Sequence, residues 1–580
     1  KVEPPPVTRH AAHGRPRRPL GRSRPPMVLL GAGATANSFR FLYVLRFFAC
    51  FPPAAASLPE ECAEAGGCAD TLRHVSLLQR QHGVQPPQAA ESMGGGAGPA
   101  QRKPNIVLFL PDDMYLTEYS AWHPDGIAPA VPNRMPVKNV PIENAGVMPR
   151  LEKIAQSGVT FTRAYTSSPS CTPSRYSIMT GRYPSRSEYG RNYWSTYFPD
   201  VSESFVDWHS LLGAGYSDTQ NTVASALQGL GYKTGMVGKW HLTPTEEGGG
   251  YVDAYSTQTD AVRKSGWDFV DGLYITVMCQ CTYPICSTFS HNMEWMLDNA
   301  LRFMDSAMHD ELPFFLYFAA TPAHLPTVQD SLLGVFTPFD TPAGTLARYP
   351  NVSEYCSTCK LSSRKDIWDS VLEVSSISRV GSCRASLAAL RWLDESLGVL
   401  YDFLAERAVL GNTYIVISTD HGSAKLSLYD LGIRVPLYAS GPGIRAGTRV
   451  DEVVSHVDLA PTFLTWAGGS TKIPADGLSW ASLASTGAGS LSREGVRAES
   501  YFDRVLVTRD LMKFYTTPTT AIIRDEISKV HNFTVISTLS SAASDLASYV
   551  GNSYPALYEE IQLYNLTADP LEQVNLWYLQ

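Results

Sequence analysis

The chain has 580 residues, of which 44% are hydrophobic and 18% are charged, as in an ordinary globular protein. This length predicts two packed units after a leader. A formal net charge of −8 argues against nucleic acid and anionic membranes as partners, so an anionic ligand needs a local cluster of positive charge.

The first 103 residues are predicted to precede the folded protein. Residues 1–26, rich in Arg and Pro, indicate a disordered or non-native leader. Residues 27–56 have the layout of a secretory signal peptide, since Arg40 precedes a short apolar run and three alanines follow it. The alternative is a buried or disordered apolar patch. Residues 57–103 have a linker composition. We expect the mature protein in the secretory pathway, in an extracellular or lysosome-like compartment, without a membrane span.

Cysteine usage agrees with export. Of the ten cysteines, Cys50 would leave with the leader and Cys171 is considered below. The others are Cys62, Cys68, Cys279, Cys281, Cys286, Cys356, Cys359 and Cys383. Their even number favours disulfide bonds in an oxidising compartment, with the pairing open, and the alternative is a zinc site using the five cysteines between 279 and 359. N-glycosylation sequons begin at Asn351, Asn532 and Asn565.

From Asn105 onward, short apolar runs alternate with helical patterns. This pattern predicts an α/β domain over 104–470 with a mostly parallel central sheet flanked by helices. The predicted strands are 105–110, 234–238, 314–320 and 414–418, and the predicted helices include 221–230, 293–305 and 385–406. Shorter strand-like runs, VLVTRD and LMKFYTT, predict a smaller C-terminal α+β subdomain over 471–580.

Each of the four strands leads directly into ionisable residues. In chain order these are Asp112 and Asp113, Lys239 and His241, His324, and Asp420 and His421. Ligands of open α/β sheets bind beyond the carboxyl ends of the strands, so the four segments are expected to share one site.

The segment Cys171-Thr-Pro-Ser-Arg175 is the sharpest local signal. Pro173 suits the first turn of a helix and Gly181 suits its C-terminal end. Cys171 would then lie at a helix N-terminus, where backbone N–H groups favour an anion. Arg175, four residues later, lies on the same helix face as Cys171. The plain alternative is a free or disulfide-bonded cysteine before an ordinary helix.

The sequence CTPSRYSIMTG resembles the signature of the sulfatase family, within the alkaline phosphatase superfamily. The resemblance extends from Asn105 to Leu576 through LPDD, GKWHL, AHLP, STDHG, LYDLGIRVPL, HVDLAPTFLTWAG and LYNLTADPLEQVNL. It implies an alkaline phosphatase-like fold, with 104–470 as the catalytic domain. It also implies that a formylglycine-generating enzyme converts Cys171 to formylglycine during maturation.

The resemblance implies a ligand set and a role for each basic residue. One calcium ion would be held by Asp112, Asp113, Asp420 and His421, facing residue 171, and carboxylates suit such a hard cation. The formylglycine hydrate would attack sulfur, which needs positive charge around a sulfate ester. Arg175 and Lys239 would supply fixed charge, His324 and Lys425 would hold sulfate and protonate the leaving oxygen, and His241 would act as base.

Two departures from the family pattern concern the same loop. His421 stands where many relatives have Asn, and only a short stretch separates it from Lys425, whose assignment depends on that stretch. The expected reaction is hydrolysis of a sulfated small molecule or glycan, an aryl or carbohydrate sulfate. The alternatives are a phosphonate or phosphodiester hydrolase of the same superfamily, a non-catalytic glycan-binding relative, and a cysteine hydrolase. The loops 114–146, 184–220, 243–292 and 327–383 are expected to shape the substrate pocket.

Overall fold

The computed structural model describes residues 102–114, 147–195, 206, 210–244, 255–275, 279–282, 285–288, 291–324, 328–334, 339–372, 381–422, 424–469, 473–501, 503–516, 561–569 and 572–579. The expected leader, signal peptide and nearly all of the linker lie outside these residues, as do Cys62, Cys68 and Asn532. The side chains of Cys279, Cys281, Cys286 and Cys383 also lie outside the described part.

The strands alternate with helices along most of the chain. The strands are β1 (Asn105–Phe109), β2 (Val159–Phe161), β3 (Ala164–Tyr165), β4 (Lys233–Lys239), β5 (Phe269–Tyr274), β6 (Cys279–Thr282), β7 (Ile285–Thr288), β8 (Phe314–Ala319), β9 (Asp340–Thr341), β10 (Gly344–Thr345), β11 (Thr413–Ser418), β12 (Leu437–Ser440), β13 (Thr448–Val450), β14 (Val454–Ser455), β15 (Gly495–Ser500), β16 (Asp503–Thr508), β17 (Met512–Thr516) and β18 (Ile561–Asn565). The helices are α1 (Pro149–Gln156), α2 (Cys171–Thr180), α3 (Glu188–Ser195), α4 (Ser217–Gln220), α5 (Val223–Gly229), α6 (Tyr255–Arg263), α7 (Met293–His309), α8 (Val328–Leu332), α9 (Arg364–Ser370), α10 (Gly381–Glu406), α11 (Asp430–Ile433), α12 (Leu459–Trp466) and α13 (Ala481–Thr486). All four predicted strands and all three predicted helices are confirmed, with ends that differ by a few residues.

Eight strands form the central sheet in the order β13–β2–β12–β11–β1–β8–β4–β5. The run β11–β1–β8–β4–β5 is parallel throughout. β12 is antiparallel to both of its neighbours. The predicted α/β fold with a mostly parallel central sheet is confirmed. The four strands that lead into ionisable residues are adjacent, and their carboxyl ends therefore lie side by side.

The sheet is buried on both faces, which explains why its strands are continuously apolar. Successive residues of β1 point to opposite faces, so Val107 joins one hydrophobic core and Leu108 the other. The first core is completed by α1, α7 and α10, and the second by α2, α5 and α12. Helix α2, which begins at Cys171, is thus packed directly against the sheet.

Beyond the central sheet, β15–β16–β17–β18 form a four-stranded antiparallel sheet. It packs through Val496, Val505 and Tyr564 against Tyr429 and Ile433 of the larger unit. α13 belongs to the second core of the central sheet, so the antiparallel sheet begins after it, at Gly495. The boundary after residue 470 stays a prediction.

Two further observations concern export. Cys356 and Cys359 form a disulfide bond, so neither sulfur serves the alternative zinc site. Among the described residues, no helix combines the length and the apolar character required to cross a bilayer.

The central strand β8 provides a test of this packing. Phe318 is fully buried and its ring stacks on Phe109, with centroids 5.5 Å apart. We expect Phe318→Ala to lower the free energy of unfolding by about 3–5 kcal/mol, because it removes apolar contacts and leaves a cavity. Leu312→Ala is the control, since Leu312 is 43% exposed and should change stability by less than about 0.5 kcal/mol. Equal losses in urea unfolding would contradict the packing described.

Candidate active site

The carboxyl ends of β1, β4, β8 and β11 bring the predicted site residues together. Cys171 Sγ lies 3.8 Å from Asp112 Oδ1 and 3.3 Å from His421 Nε2. Asp113 and Asp420 contact each other through the Asp113 backbone N–H, which donates to Asp420 Oδ1 at 3.2 Å. Segments from distant parts of the chain therefore converge on residue 171.

The local structure of α2 agrees with the sequence prediction. The helix begins at Cys171 after the extended residue Ser170, with Pro173 in its first turn. It ends at Gly181, whose φ of 69° is readily adopted only by glycine and whose N–H donates to Ser177 O at 2.8 Å. The first turn therefore presents residue 171 to the strand ends.

Arg175 links the two sets of acidic residues. Its Nη2 donates to Asp112 Oδ1 at 3.1 Å and to Asp420 Oδ2 at 3.0 Å, and all three side chains are buried. Its Nη1 donates to Lys239 O and to Tyr317 Oη. Burial opposes the charge, but Tyr317 and the two carboxylates hold the pKa of Arg175 well above its ordinary value. The fork of this guanidinium is used up by structural partners, so Arg175 fixes the carboxylates in place.

Lys239 and His241 follow β4 and approach from one side. Lys239 Nζ lies 2.7 Å from Asp112 Oδ2 and is almost fully buried. His241 has a positive φ of 58°, an uncommon conformation for a residue other than glycine, which sets the direction of its ring. Burial lowers the pKa of His241 to about 4; a hydrogen bond with Cys171 opposes this, and Lys239 adds to it. His241 is therefore neutral near pH 7 and able to accept a proton.

His324 and Lys425 lie on the more exposed side of the cluster. Lys425 Nζ is 2.9 Å from Asp113 Oδ2, and its side chain is 40% exposed. His324 Nε2 is 3.9 Å from a carboxylate oxygen of both Asp112 and Asp113. The structure thus brings both residues to the site, including Lys425, whose assignment depended on the short loop after His421. These two groups are placed to meet a ligand that enters from solvent.

The cluster has the donor set of a cation site. His421 Nδ1 lies 2.8 Å from Gly422 O and donates to it, which leaves the Nε2 lone pair of a neutral ring facing Asp113 Oδ1 at 3.1 Å. Among the described residues, this buried Asp113 oxygen has no well-directed hydrogen bond. Two acceptors that face each other need a cation or a proton between them. Metal-bound histidines commonly donate their other N–H to a carbonyl in this way.

Charge balance also supports a cation. The carboxylates of Asp112, Asp113 and Asp420 offset three cations when no metal is counted. Burial raises the pKa of Asp420 to about 7, and Asp112 raises it further against the pull of His421. Two overlapping groups of these residues, Asp112, Asp113, Cys171 and His324, and Cys171, Asp420 and His421, each have ligand atoms within 4.8 Å of one another.

Backbone geometry marks the same site independently. Besides His241, left-handed φ values occur at Asp113 (58°), Ala323 (82°) and Leu426 (67°). Each is a site residue or adjoins one, and each follows a different strand of the central sheet. Such strain concentrates at functional sites. Sequence reasoning missed Ala323 and Leu426 because neither residue type signals a positive φ.

Two polar residues behind α2 were also missed as parts of the site. Ser174 Oγ donates to Asp420 O at 2.5 Å, and His456 Nδ1 lies 3.1 Å from the same hydroxyl. The signals were present, since Ser174 belongs to the CTPSR segment and His456 to the HVDLAP block. Their partners are distant in sequence, so their roles were not legible from either block.

Known proteins resemble this chain in sequence and in structure. The model of the Sulfatase family matches residues 104–470. The ulvan-active sulfatase of Formosa agariphila is 22% identical over 85% of this chain and 80% of its own length. Human arylsulfatase A is 25% identical over 82% and 83%, respectively. For the N-acetylgalactosamine-6-sulfatase of Sus scrofa the identity is 25% over 65% of this chain, which spans 64% of that relative.

Two solved structures support the fold. The protein yidJ of Bacteroides fragilis has a TM-score of 0.51 and 19% identity, covering 84% of this chain and 94% of its own. BT4656, solved in complex with its substrate D-glucosamine-2-N,6-O-disulfate, has a TM-score of 0.50 and 17% identity, covering 82% and 94%.

The role given to Arg175 predicts a large stability effect. Arg175→Met should lower the free energy of unfolding by about 3–5 kcal/mol, because Asp112 and Asp420 lose their shared partner while buried. Arg348→Met is the control, since its bond to Glu354 is exposed and worth less than about 1 kcal/mol. Urea unfolding in the presence of a chelator measures both. A loss in Arg175→Met no larger than in the control would overturn this role.

Proposed function

This chain belongs to the sulfatase family of sulfuric ester hydrolases, and we propose that it cleaves aryl or carbohydrate sulfates with a formylglycine derived from Cys171 and one calcium ion. The proposal rests chiefly on one observation: Cys171 lies at the start of α2 within 3.8 Å of Asp112 and 3.3 Å of His421. A nucleophile precursor therefore faces the residues suited to a cation.

Residue 171 needs modification for turnover. The formylglycine-generating enzyme would act as the maturation partner, and formylglycine in its hydrated form supplies an oxygen nucleophile and a second hydroxyl for releasing sulfate. A thiol at the same position has one nucleophilic atom and no such release route. The burial of Cys171 and its place at the N-terminus of α2 favour an anionic oxygen there.

Calcium fits the residues that surround position 171. Asp112, Asp113, Asp420 and His421 would hold the ion, and oxygen ligands suit calcium. When bound, the ion supplies Lewis-acid polarisation and charge compensation at the reacting centre. Arg175 keeps Asp112 and Asp420 in place from behind, through the bonds described above.

The basic residues divide the remaining work. Lys239 is almost fully buried and supplies fixed charge beside residue 171. Lys425 and His324 lie toward solvent, where they would bind the sulfate oxygens and deliver a proton to the leaving oxygen. His241, neutral at pH 7, would accept the proton whose removal releases sulfate.

The relatives favour a sulfated carbohydrate as the substrate class. Their names include an ulvan-active sulfatase and an N-acetylgalactosamine-6-sulfatase. An extracellular sulfatase of Drosophila melanogaster is also similar, and this chain spans 31% of its length. With the Cys356–Cys359 disulfide bond, these relatives support the secretory pathway as the location of this chain.

The first experiment combines mass spectrometry with turnover. Protein made together with the formylglycine-generating enzyme should contain formylglycine at position 171 and hydrolyse aryl sulfates and some of a panel of sulfated sugars. Cys171→Ala should lower kcat by on the order of 10⁴-fold or more, as for the loss of a nucleophile. Chelation should abolish turnover and calcium should restore it. A strong preference for phosphate esters, or full activity with an unmodified thiol, would disprove the proposal.

The second experiment tests His241 through pH. A base must be neutral, and the pKa of His241 near 4 means that its neutral form persists until the pH falls through about 4. We therefore expect kcat to be level above about pH 5 and to fall about tenfold per pH unit below 4. His241→Gln should lose about 10²–10⁴-fold in kcat, together with this acid limb. Melting temperatures over the same pH range control for unfolding, and an unchanged limb in His241→Gln would exclude this role.

A further inference from the structure

His456 is a buried residue to which the reaction gives no role. It lies behind α2, and 1% of its surface is exposed. Its Nδ1 is 3.1 Å from Ser174 Oγ, and its Nε2 is 3.1 Å from Ser418 Oγ. One imidazole thus bridges the helix that begins at residue 171 and the strand that leads to Asp420.

The two hydroxyls are themselves bonded to the backbone. Ser174 Oγ donates to Asp420 O at 2.5 Å, and Ser418 Oγ donates to Pro436 O at 2.7 Å. A hydroxyl has a single proton, so in this arrangement both serines offer only lone pairs to His456. A neutral imidazole has a single N–H and can donate to only one of them.

The tautomer of His456 therefore decides which backbone bond survives. If Nδ1 carries the proton, it donates to Ser174, and Ser174 keeps its bond to Asp420 O. Ser418 then turns its proton from Pro436 O to Nε2. With the other tautomer, Ser174 would have to donate to Nδ1 and would release the carbonyl of Asp420.

His456 is carried by a rigid segment. Ser455 and Asp458 form a reciprocal capping box around it. Arg493 donates to Asp458 Oδ1 at 2.6 Å and to Oδ2 at 2.5 Å, and Asp458 is fully buried. The imidazole is therefore held in place by its own backbone and does not follow movements of either serine.

We propose that His456 is a positioning residue, which through an Nδ1–H bond to Ser174 fixes the spacing between residue 171 and the metal-facing carboxylate of Asp420. Ser174 lies one helical turn after residue 171, and Ser418 lies two residues before Asp420. This inference rests on the proposed function for its kinetic consequences. Groups that orient metal ligands typically change metal affinity or activity by 10–100-fold when they are replaced.

Three substitutions separate the two arms of the bridge. His456→Asn places an amide near the position of Nδ1, and so keeps the arm to Ser174. His456→Gln reaches the position of Nε2, and so keeps the arm to Ser418. His456→Leu removes both arms. Ser418→Ala is a further variant that leaves α2 and the sequence around Cys171 intact.

The experiment measures calcium binding and kinetics in parallel on full-length protein. His456→Leu should raise the calcium concentration for half-maximal thermal stabilisation about tenfold and lower kcat about 10–100-fold, with KM changed less than about threefold. His456→Asn should recover most of both losses, and His456→Gln should recover little. Ser418→Ala should stay close to the wild type, because the Ser174 arm remains.

The outcomes distinguish this inference from the proposed function. The formylglycine content of each variant, measured by mass spectrometry, normalises kcat. If the wild type lacks formylglycine or sulfatase activity, the proposed function fails, while the calcium titration still tests His456. A wild-type calcium midpoint in His456→Leu, or equal loss in the Asn and Gln variants, would overturn the inference. If His456→Leu does not fold, the comparison of Asn with Gln decides alone.

Discussion

The site depends on one buried ionic contact, in which Arg175 bridges Asp112 and Asp420 at 3.1 and 3.0 Å. Charges taken out of water are tolerated only when they are paired and hydrogen-bonded, so these three groups must stay together in the folded state. Because Arg175 lies one turn after residue 171, the same contact sets the position of residue 171 relative to both carboxylates. Stability and the geometry for chemistry are therefore joined in a single cluster.

Around this contact, the positive groups differ in what they can do. Arg175 and Lys239 are buried and already bonded to carboxylates, so their charge is fixed. Lys425, at 40% exposure, and His324 stand between the carboxylates and solvent. A sulfate ester entering from outside would meet the second pair first and reach the charge of the first pair only next to residue 171. This division follows from burial rather than from residue type.

The antiparallel C-terminal sheet also serves the site, because it holds the loop that carries Lys425. Ser500 Oγ donates to the carbonyl of Leu426, whose φ is positive. Lys513, buried in β17, pairs with Asp430 at 3.1 Å and with Glu572 at 2.6 Å, and Glu572 accepts the Asp430 N–H. These bonds give a physical reason for the LYDLG and DPLEQ segments, which contribute nothing directly to the reacting centre.

The sequence by itself determined the strands, the start of α2 at Cys171, its end at Gly181, and the charged residues beyond each strand. These follow from short-range rules of periodicity, capping and burial, which local residues obey. Only the tertiary structure decided that Arg175 grips Asp112 and Asp420, that His456 bridges two serines, and that Ala323 and Leu426 adopt positive φ. Arg175 and Asp420 are 245 positions apart, so their contact is a property of sheet order and packing, which no local pattern encodes.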